Sequence, residues 1–557
     1  MPHEVEEDFP TDIELKTLRR LPYQLSWTAF SIGIVELCER LTYYGTGQIL
    51  TNFIQRPLPA GSTTGASGTH GQAGALGFGQ TTSSAISLFK QFFFYTTPLL
   101  GAYLADAHWG RFRTICVCIA IGFLGHIIFV IAAIPPVIAQ RQASLGVAIL
   151  GIVTLGLSTG GVKTNLAPLI VEQLPHTRLT TRILPTGEKV IYDPVLTINR
   201  AYMTWYFMTN VGALLGILTM PYVEKYAGFW VAWLVPTVLY LLCPLVMLWG
   251  RRRYNRTPPH ASVFAKAFRL VVFSWKHNLR AGLRGRSRWS LVKPSSIVPE
   301  QRPKWMTFDD AWVDEIRRCL KAAKVFAWYP LFLLCFNQIN NNLVSQAALL
   351  ELHGLPNEFM TIIDPLGILI LVPIFDRMVY PFLRARKVRV SPIRRITAAF
   401  VCGSAAMTWA AVLQYHIYQK SPCGYGANTC DAPAPINVGA QAGSYLLIAM
   451  GEILGTITIL EYSYAKAPKS MRSVIQALAL FTNAMAAALG QALVPLTRDP
   501  LLVWNYAIPA ILSFCAAFCF WFQMRGLDRQ EDELNYLPAG NLDVSAETAV
   551  DSNRKVE

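Results

Sequence analysis

Five residues in the stretch Glu36-Leu-Cys-Glu-Arg-Leu-Thr-Tyr-Tyr-Gly45 could combine acid–base chemistry with hydrogen bonding. Glu36, Glu39, Arg40, Tyr43 and Tyr44 follow i, i+3, i+4, i+7 spacing, which on an α-helix puts them on one broad face. Two carboxylates against one guanidinium leave an acid able to take up a proton. The bland alternative is a self-neutralised ion cluster that only fixes helix packing. The setting favours chemistry, because the stretch lies inside the first long apolar segment. A charge at the centre of a bilayer costs roughly 2.5–3.5 kcal/mol even on lenient insertion scales, so such groups face a cavity or pair with one another.

Other apolar segments carry polar groups of the same kind. Ser158-Thr-Gly-Gly-Val-Lys-Thr-Asn165 sets Lys163 among glycines that let helices approach closely, with snorkelling to an interface as its alternative. Tyr202, Trp205, Tyr206, Asn210 and Gly212 follow in a fifth segment, where an aromatic stripe is more often packing but an embedded Asn wants a partner. Phe336-Asn-Gln-Ile-Asn-Asn-Asn-Leu-Val-Ser-Gln346 contains Gln338, Asn341 and Asn342, too many amides for a lipid-facing helix, and reads as lining a wet path or an interface between halves. Glu452 and Glu461 bracket a Gly/Thr-containing helix; Glu461 can pair locally with Lys466, whereas Glu452 has no nearby sequence partner. Positive groups in the first half and an acid in the second suit a zwitterion whose charges are well separated, such as a short peptide. No nucleophile elbow, phosphate-binding glycine loop or metal-ligand spacing occurs, so neither an enzyme nor a metal site is expected, and no cofactor beyond a proton gradient. His126, within the third segment, reads as a hydrogen-bonded packing residue.

The elements that must position these groups follow from composition. The 557 residues are 53% hydrophobic and 15% charged, with a positive mean hydropathy, which describes a polytopic all-α membrane protein better than a set of soluble domains. With about 20 residues needed to span, twelve spans are predicted, at roughly 26–54, 82–106, 113–138, 145–171, 199–223, 229–250, 325–350, 359–383, 393–416, 439–465, 472–496 and 502–525. The net charge of +15 sits in alternate loops, as the positive-inside rule requires, so a membrane surface explains it better than nucleic acid does. Both termini are then cytoplasmic. No cleaved signal peptide is expected, because Glu4, Glu6, Glu7 and Asp8 precede any basic residue.

The predicted organisation is a polar, mobile tail over 1–25, a six-helix bundle over 26–250, a basic linker over 251–324, a second six-helix bundle over 325–525 and an acidic tail over 526–557. The linker interleaves basic residues with Phe264, Phe268, Phe273 and Trp275, a pattern suited to amphipathic helices on an anionic leaflet. The Gly/Ser/Thr-rich loop from Arg56 to Thr81 reads as flexible. Asp106, Arg111 and Arg113 close the second span with a turn that could latch two helix ends, or be a plain positive-inside loop. Phe375-Asp-Arg-Met-Val-Tyr-Pro381 echoes this turn in the second half, where a six-plus-six duplication would put it. Most cysteines lie in apolar spans, but Cys423 and Cys430 share a Pro/Gly-rich external loop over about 417–438 and are expected to be bonded to each other.

Taken together, the chain resembles the proton-dependent oligopeptide transporter family, and its fungal di- and tripeptide transporters in particular, from about Ser26 to Arg525. Glu36-Leu-Cys-Glu-Arg40 with Tyr-Tyr-Gly resembles the family's ExxER signature, and Gly101-Ala-Tyr-Leu-Ala-Asp106 with Trp-Gly-Arg its gating loop. Gly160-Gly-Val-Lys163, Trp205-Tyr-Phe-Met-Thr-Asn-Val-Gly212 and Glu461-Tyr-Ser-Tyr-Ala-Lys-Ala-Pro468 resemble its fourth-, fifth- and tenth-helix motifs. The resemblance implies a major facilitator fold of two six-helix halves and alternating-access symport of a proton with a peptide at the plasma membrane, as a monomer. It assigns proton coupling to Glu36, Glu39 and Arg40, and the peptide carboxylate to Arg40 and Lys163. It places the peptide ammonium at Glu452 or Glu461, and a pocket lining at Tyr44, Tyr95 and Asn210. Cys38, and Leu41 where an aromatic is usual, are small departures. The second span has no histidine, and no acid lies between Leu331 and Leu350 to pair with Lys163, so coupling would rest on carboxylates. Two rivals remain: the same fold carrying nitrate or another small organic anion, and a transport-dead nutrient sensor.

Overall fold

The computed structural model describes residues 10–529 apart from 70, 175–178, 185, 257–262, 281–288, 299–301, 304, 387–389, 431 and 460–471. Before the first span comes α1 (Asp12–Thr17). The first-half helices are α2 (Trp27–Gln48), α3 (Leu50–Gln55), α4 (Gly79–Leu104), α5 (Arg111–Ala133), α6 (Pro135–Ile138), α7 (Arg141–Glu172), α8 (Pro194–Ala227), α9 (Phe229–Tyr240) and α10 (Leu242–Gly250). Then come α11 (Val263–Arg280), α12 (Asp310–Trp328), α13 (Pro330–Phe336), α14 (Asn342–Ala347), α15 (Ile363–Ile374), α16 (Tyr380–Ala385), α17 (Pro392–Lys420), α18 (Ala442–Glu452), α19 (Arg472–Gln491) and α20 (Leu502–Arg529). Among the described residues, seven helices are long and apolar enough to cross a membrane.

The chain forms two compact units. One comprises residues 1–83, 96–260 and 354–359; the other comprises 84–95, 261–353 and 360–557. These differ from the predicted halves in two places: the stretch 84–95 of α4 groups with the second unit, and Gly354–Phe359 with the first.

In the first unit, Ser26 begins α2 by accepting the Ala29 amide at 3.2 Å, satisfying one of the orphan donors of a helix start. Close helix approach is then set by glycine. A Cβ on Gly212 of α8 would stand 2.3 Å from the Leu37 carbonyl of α2, and one on Gly216 2.5 Å from that of Leu41. A Cβ on Gly101 of α4 would stand 2.3 Å from the Gly160 carbonyl of α7. Because these neighbours are backbone, neither side can yield. Gly212→Val is expected to cost roughly 1–3 kcal/mol by overpacking, which thermal unfolding of the purified protein in detergent would register as a lowered midpoint; an unchanged midpoint would mean that α2 and α8 are not packed this closely.

Several expectations for the loops are overturned. Residues 10–25 are ordered: Thr11 and Glu14 form a capping box on α1, and Glu14 pairs with Lys189 at 2.7 Å. Beyond α1, β1 (Arg20–Leu21) runs parallel to β3 (Lys189–Tyr192), which pairs antiparallel with β2 (Thr180–Ile183). The order β1-β3-β2 ties the N-terminal segment to the loop after α7. Burial also fixes much of the Arg56 to Thr81 loop, since Ala73, Ala75 and Leu76 are buried and the Leu76 amide bonds the Phe53 carbonyl at 2.9 Å. Its glycines serve left-handed turns at Gly65 and Gly77 rather than freedom of movement.

In the second unit the predicted seventh span is broken. Its amide run ends α13 and makes a turn over residues 337–341 before α14 resumes, because side-chain amides compete with the helical ladder for backbone and for one another. The sixth span is likewise two helices, α9 and α10, joined at Leu241. The linker packs more than was expected. Ala267 and Leu270 of α11 are buried in a core with Val292, Met306, Phe308 and Trp312, while Phe268 and Trp275 remain exposed. The duplication echo takes structural form: α4 runs into a π-helical turn, Ala105–Trp109, and α15 into another, Phe375–Val379, each with an Asp at its second position. A second small sheet pairs β4 (Leu350–Glu351) with β5 (Ala434–Asn437). Cys423 and Cys430 are joined in a disulfide around the turn Gly424–Thr429.

Candidate functional site

Glu36, Glu39 and Arg40 converge inside the first unit, each no more than 4% exposed. Arg40 Nε donates to Glu39 Oε2 at 2.5 Å and lies 3.3 Å from Glu36 Oε1, while its Nη2 also pairs with Glu39. The guanidinium sits over the Tyr43 ring at 4.8 Å, and Tyr43 meets Tyr44 edge to face at 5.1 Å. From α8, Thr209 Oγ1 donates to Glu36 Oε1 at 3.1 Å, a reach that depends on the close approach at Gly212 one turn on. Cys38 is buried beside Cys243, whose thiol faces the Val35 carbonyl at 3.6 Å.

Lys163 on α7 lies within electrostatic reach of Arg40, Glu39 and Glu36. Gly160 and Gly161, one turn before it, pack against α4 and α5 with no room for a Cβ. The four charged groups sum to zero when all are ionised. An incoming carboxylate unbalances the sum by one negative charge, and a proton restores it. In a buried site, where charge is weakly screened, this gives the two ligands a reason to arrive together.

Tyr44 and Tyr95 are half-buried, and Asn210 spends one amide hydrogen on the Tyr206 carbonyl at 2.7 Å. His126 is buried with its ring 4.7 Å from that of Tyr240. At the helix ends, Arg111 donates to Glu172 Oε1 at 2.6 Å and so clamps the start of α5 to the end of α7. Asp106 lies within electrostatic reach of Arg111, and Arg113 is exposed.

In the second unit the amides of the broken span bond to one another and to the 84–95 stretch of α4. Ser84 Oγ donates to Asn341 Oδ1 at 3.1 Å and to Asn342 Oδ1 at 2.9 Å. Asn342 Nδ2 donates to Gln338 Oε1 at 2.6 Å, and Gln91 Nε2 to Asn337 Oδ1 at 2.5 Å. Glu452 ends α18 beside a second acid, Asp364 of α15. Tyr329 bonds Thr456 one turn beyond Glu452, at 2.5 Å. Glu461 and Lys466 lie outside the described residues.

Sequence reading passed over Lys90, Glu224, Glu358 and Asp364. Lys90, Glu358 and Asp364 are single charges and Glu224 stands next to Lys225, each at or inside an apolar run, and that setting was itself the available signal.

The PTR2 model of the POT family matches residues 112–520. The chain belongs to the POT family. POT membership makes it a membrane transporter rather than an enzyme. A peptide transporter of Candidozyma auris, PTR_B, is 38% identical over 545 residues, covering 96% of this chain and 89% of that one. The peptide transporter PTR2 of Saccharomyces cerevisiae is 36% identical over 536 residues, covering 96% and 85%. Among solved structures, an auto-inhibited POT family peptide transporter superposes with a TM-score of 0.68 at 21% identity, over 93% of this chain and 99% of that one. That likeness shows the POT fold.

Proposed function

We propose that this POT protein is a symporter that carries di- and tripeptides together with protons into the cell across the plasma membrane by alternating access. One observation carries the reading: the buried Glu36–Glu39–Arg40 cluster with Lys163 in electrostatic reach. A proton on Glu36 or Glu39 weakens its hold on Arg40, and the freed guanidinium meets the peptide carboxylate beside Lys163. Loss of the proton re-forms the pairs and expels the carboxylate. The peptide ammonium falls to an acid of the other half, Glu452 or Glu461, with Tyr44, Tyr95, Asn210, Gln338, Asn341 and Asn342 lining the path. Asp106, Arg111 and Arg113 act in gating. The protein works as a monomer with both termini in the cytoplasm.

The driving force suffices. About 2.3 kcal/mol per charge per 100 mV, with about 1.4 kcal/mol per pH unit, supports accumulation of more than about a hundredfold. In proteoliposomes, a labelled dipeptide should accumulate above its external concentration only under an inward proton gradient. Binding without uptake would point to a sensor. Nitrate uptake in place of dipeptide uptake would overturn the cargo.

A further inference from the structure

The linker helix α11 divides its residues between two opposite faces. With about 100° of rotation per residue, Ala267, Leu270 and Ser274 share one face, and all three are buried. Ala267 and Leu270 belong to a core that continues through Trp312 and Ile316 of α12 to Phe332 of α13, Phe400 of α17 and Phe520 of α20. That core ties α11 to α17 and α20, two of the helices long and apolar enough to cross a membrane.

The opposite face is exposed and sorted into two rows. Phe268 and Trp275 stand nearly in line, two turns apart, and are 59% and 68% exposed. Arg269 and Lys276, each the next residue along, make a parallel exposed row, and Val272 lies half-buried between the two. Phe273, which the sequence pattern grouped with Phe268 and Trp275, instead turns away to meet Trp305 edge to face at 5.9 Å. Large apolar side chains clustered on a surface mark a place where something binds. An aromatic row beside a cationic row matches the headgroup region of an anionic leaflet, where rings settle at the acyl boundary and cations meet phosphates and carboxylates. An acidic protein would also answer the charge, but the shared core favours lipid: with α17 and α20 embedded, the bilayer surface is always beside α11.

We propose that Phe268, Val272 and Trp275, with Arg269 and Lys276, form a docking surface for anionic phospholipid that holds α11, and the second-unit core behind it, against the bilayer. The surface needs no substrate, so it can be tested whatever the cargo is. The experiment is amide hydrogen exchange on the full chain in phosphatidylcholine nanodiscs with and without phosphatidylserine, read over Ala267–Lys276. Protection should be roughly thirtyfold greater with phosphatidylserine, the contribution of two cations at an anionic surface, and the difference should shrink as salt is added. Arg269→Gln with Lys276→Gln replaces exposed side chains only, and its protection should be the same in both lipids. Trp275 supplies a second reading. Its emission, taken as the difference between wild type and Trp275→Phe, should be quenched by lipids with brominated acyl chains. Equal wild-type protection in the two lipids would overturn the proposal, as would a Trp275 signal that brominated chains leave unchanged. Protection raised as much by polyglutamate added to phosphatidylcholine nanodiscs would assign the face to an acidic protein segment and overturn it likewise.

Discussion

Glu39→Gln is expected to abolish proton-driven accumulation of dipeptide while leaving exchange of labelled for unlabelled dipeptide across the membrane near the wild-type rate. Glu39 accepts the Arg40 bond at 2.5 Å and is almost fully buried, so it is both the strongest restraint on the guanidinium and a group that water does not stabilise when charged. Glutamine keeps the shape and a hydrogen-bonding oxygen but removes the titration. Exchange needs the carrier to move only when loaded, whereas net uptake needs an empty return that follows proton release. The two modes should therefore separate by at least about tenfold, which corresponds to only about 1.4 kcal/mol of differential effect. Uptake in the variant that still rises with external acidity would place the coupling proton elsewhere. Equal loss of both modes would mean that Glu39 is needed for the fold or for binding.

Lys163→Gln should carry the other large effect. The site holds two cations and two acids, and removing one cation leaves a carboxylate-bearing ligand without its counter-charge. A hydrogen bond to a charged group contributes about 1.5–3 kcal/mol, so dipeptide affinity should fall roughly ten- to more than a hundredfold. A dipeptide with an amidated C-terminus lacks the carboxylate, and its weaker binding should be nearly the same in variant and wild type. Calorimetry with both ligands separates the outcomes: an equal loss for the two would deny Lys163 a role at the carboxylate. Arg40 is a poorer residue for this test. Its removal leaves Glu36 and Glu39 buried against each other, a break of the kind that destabilises by about 3–5 kcal/mol.

What the sequence disclosed was local. The i, i+3, i+4 spacing of Glu36, Glu39 and Arg40 determined that they would share a face of α2, and long apolar runs marked α5, α7, α8 and α17 with little ambiguity. The glycine-rich fourth span pointed to close packing, and the contact of Gly160 with α4 is of that kind. Features that depend on distant pairing were hidden. Arg20–Leu21 forms a strand only because Lys189–Tyr192 lies beside it, some 170 residues away. The amides from Asn337 to Asn342 looked like one wall of a helix, yet their bonds to Ser84 and Gln91 and to one another favour a turn over a continuous ladder.

Proton entry driven by dipeptide alone tests the coupling most directly. Proteoliposomes would be loaded with a pH-sensitive dye and given an inward dipeptide gradient, with no pH difference or membrane potential imposed. The expected result is acidification of the lumen in step with dipeptide entry, lost in Glu39→Gln. Dipeptide entry without acidification would contradict proton coupling at the Glu36–Glu39–Arg40 cluster.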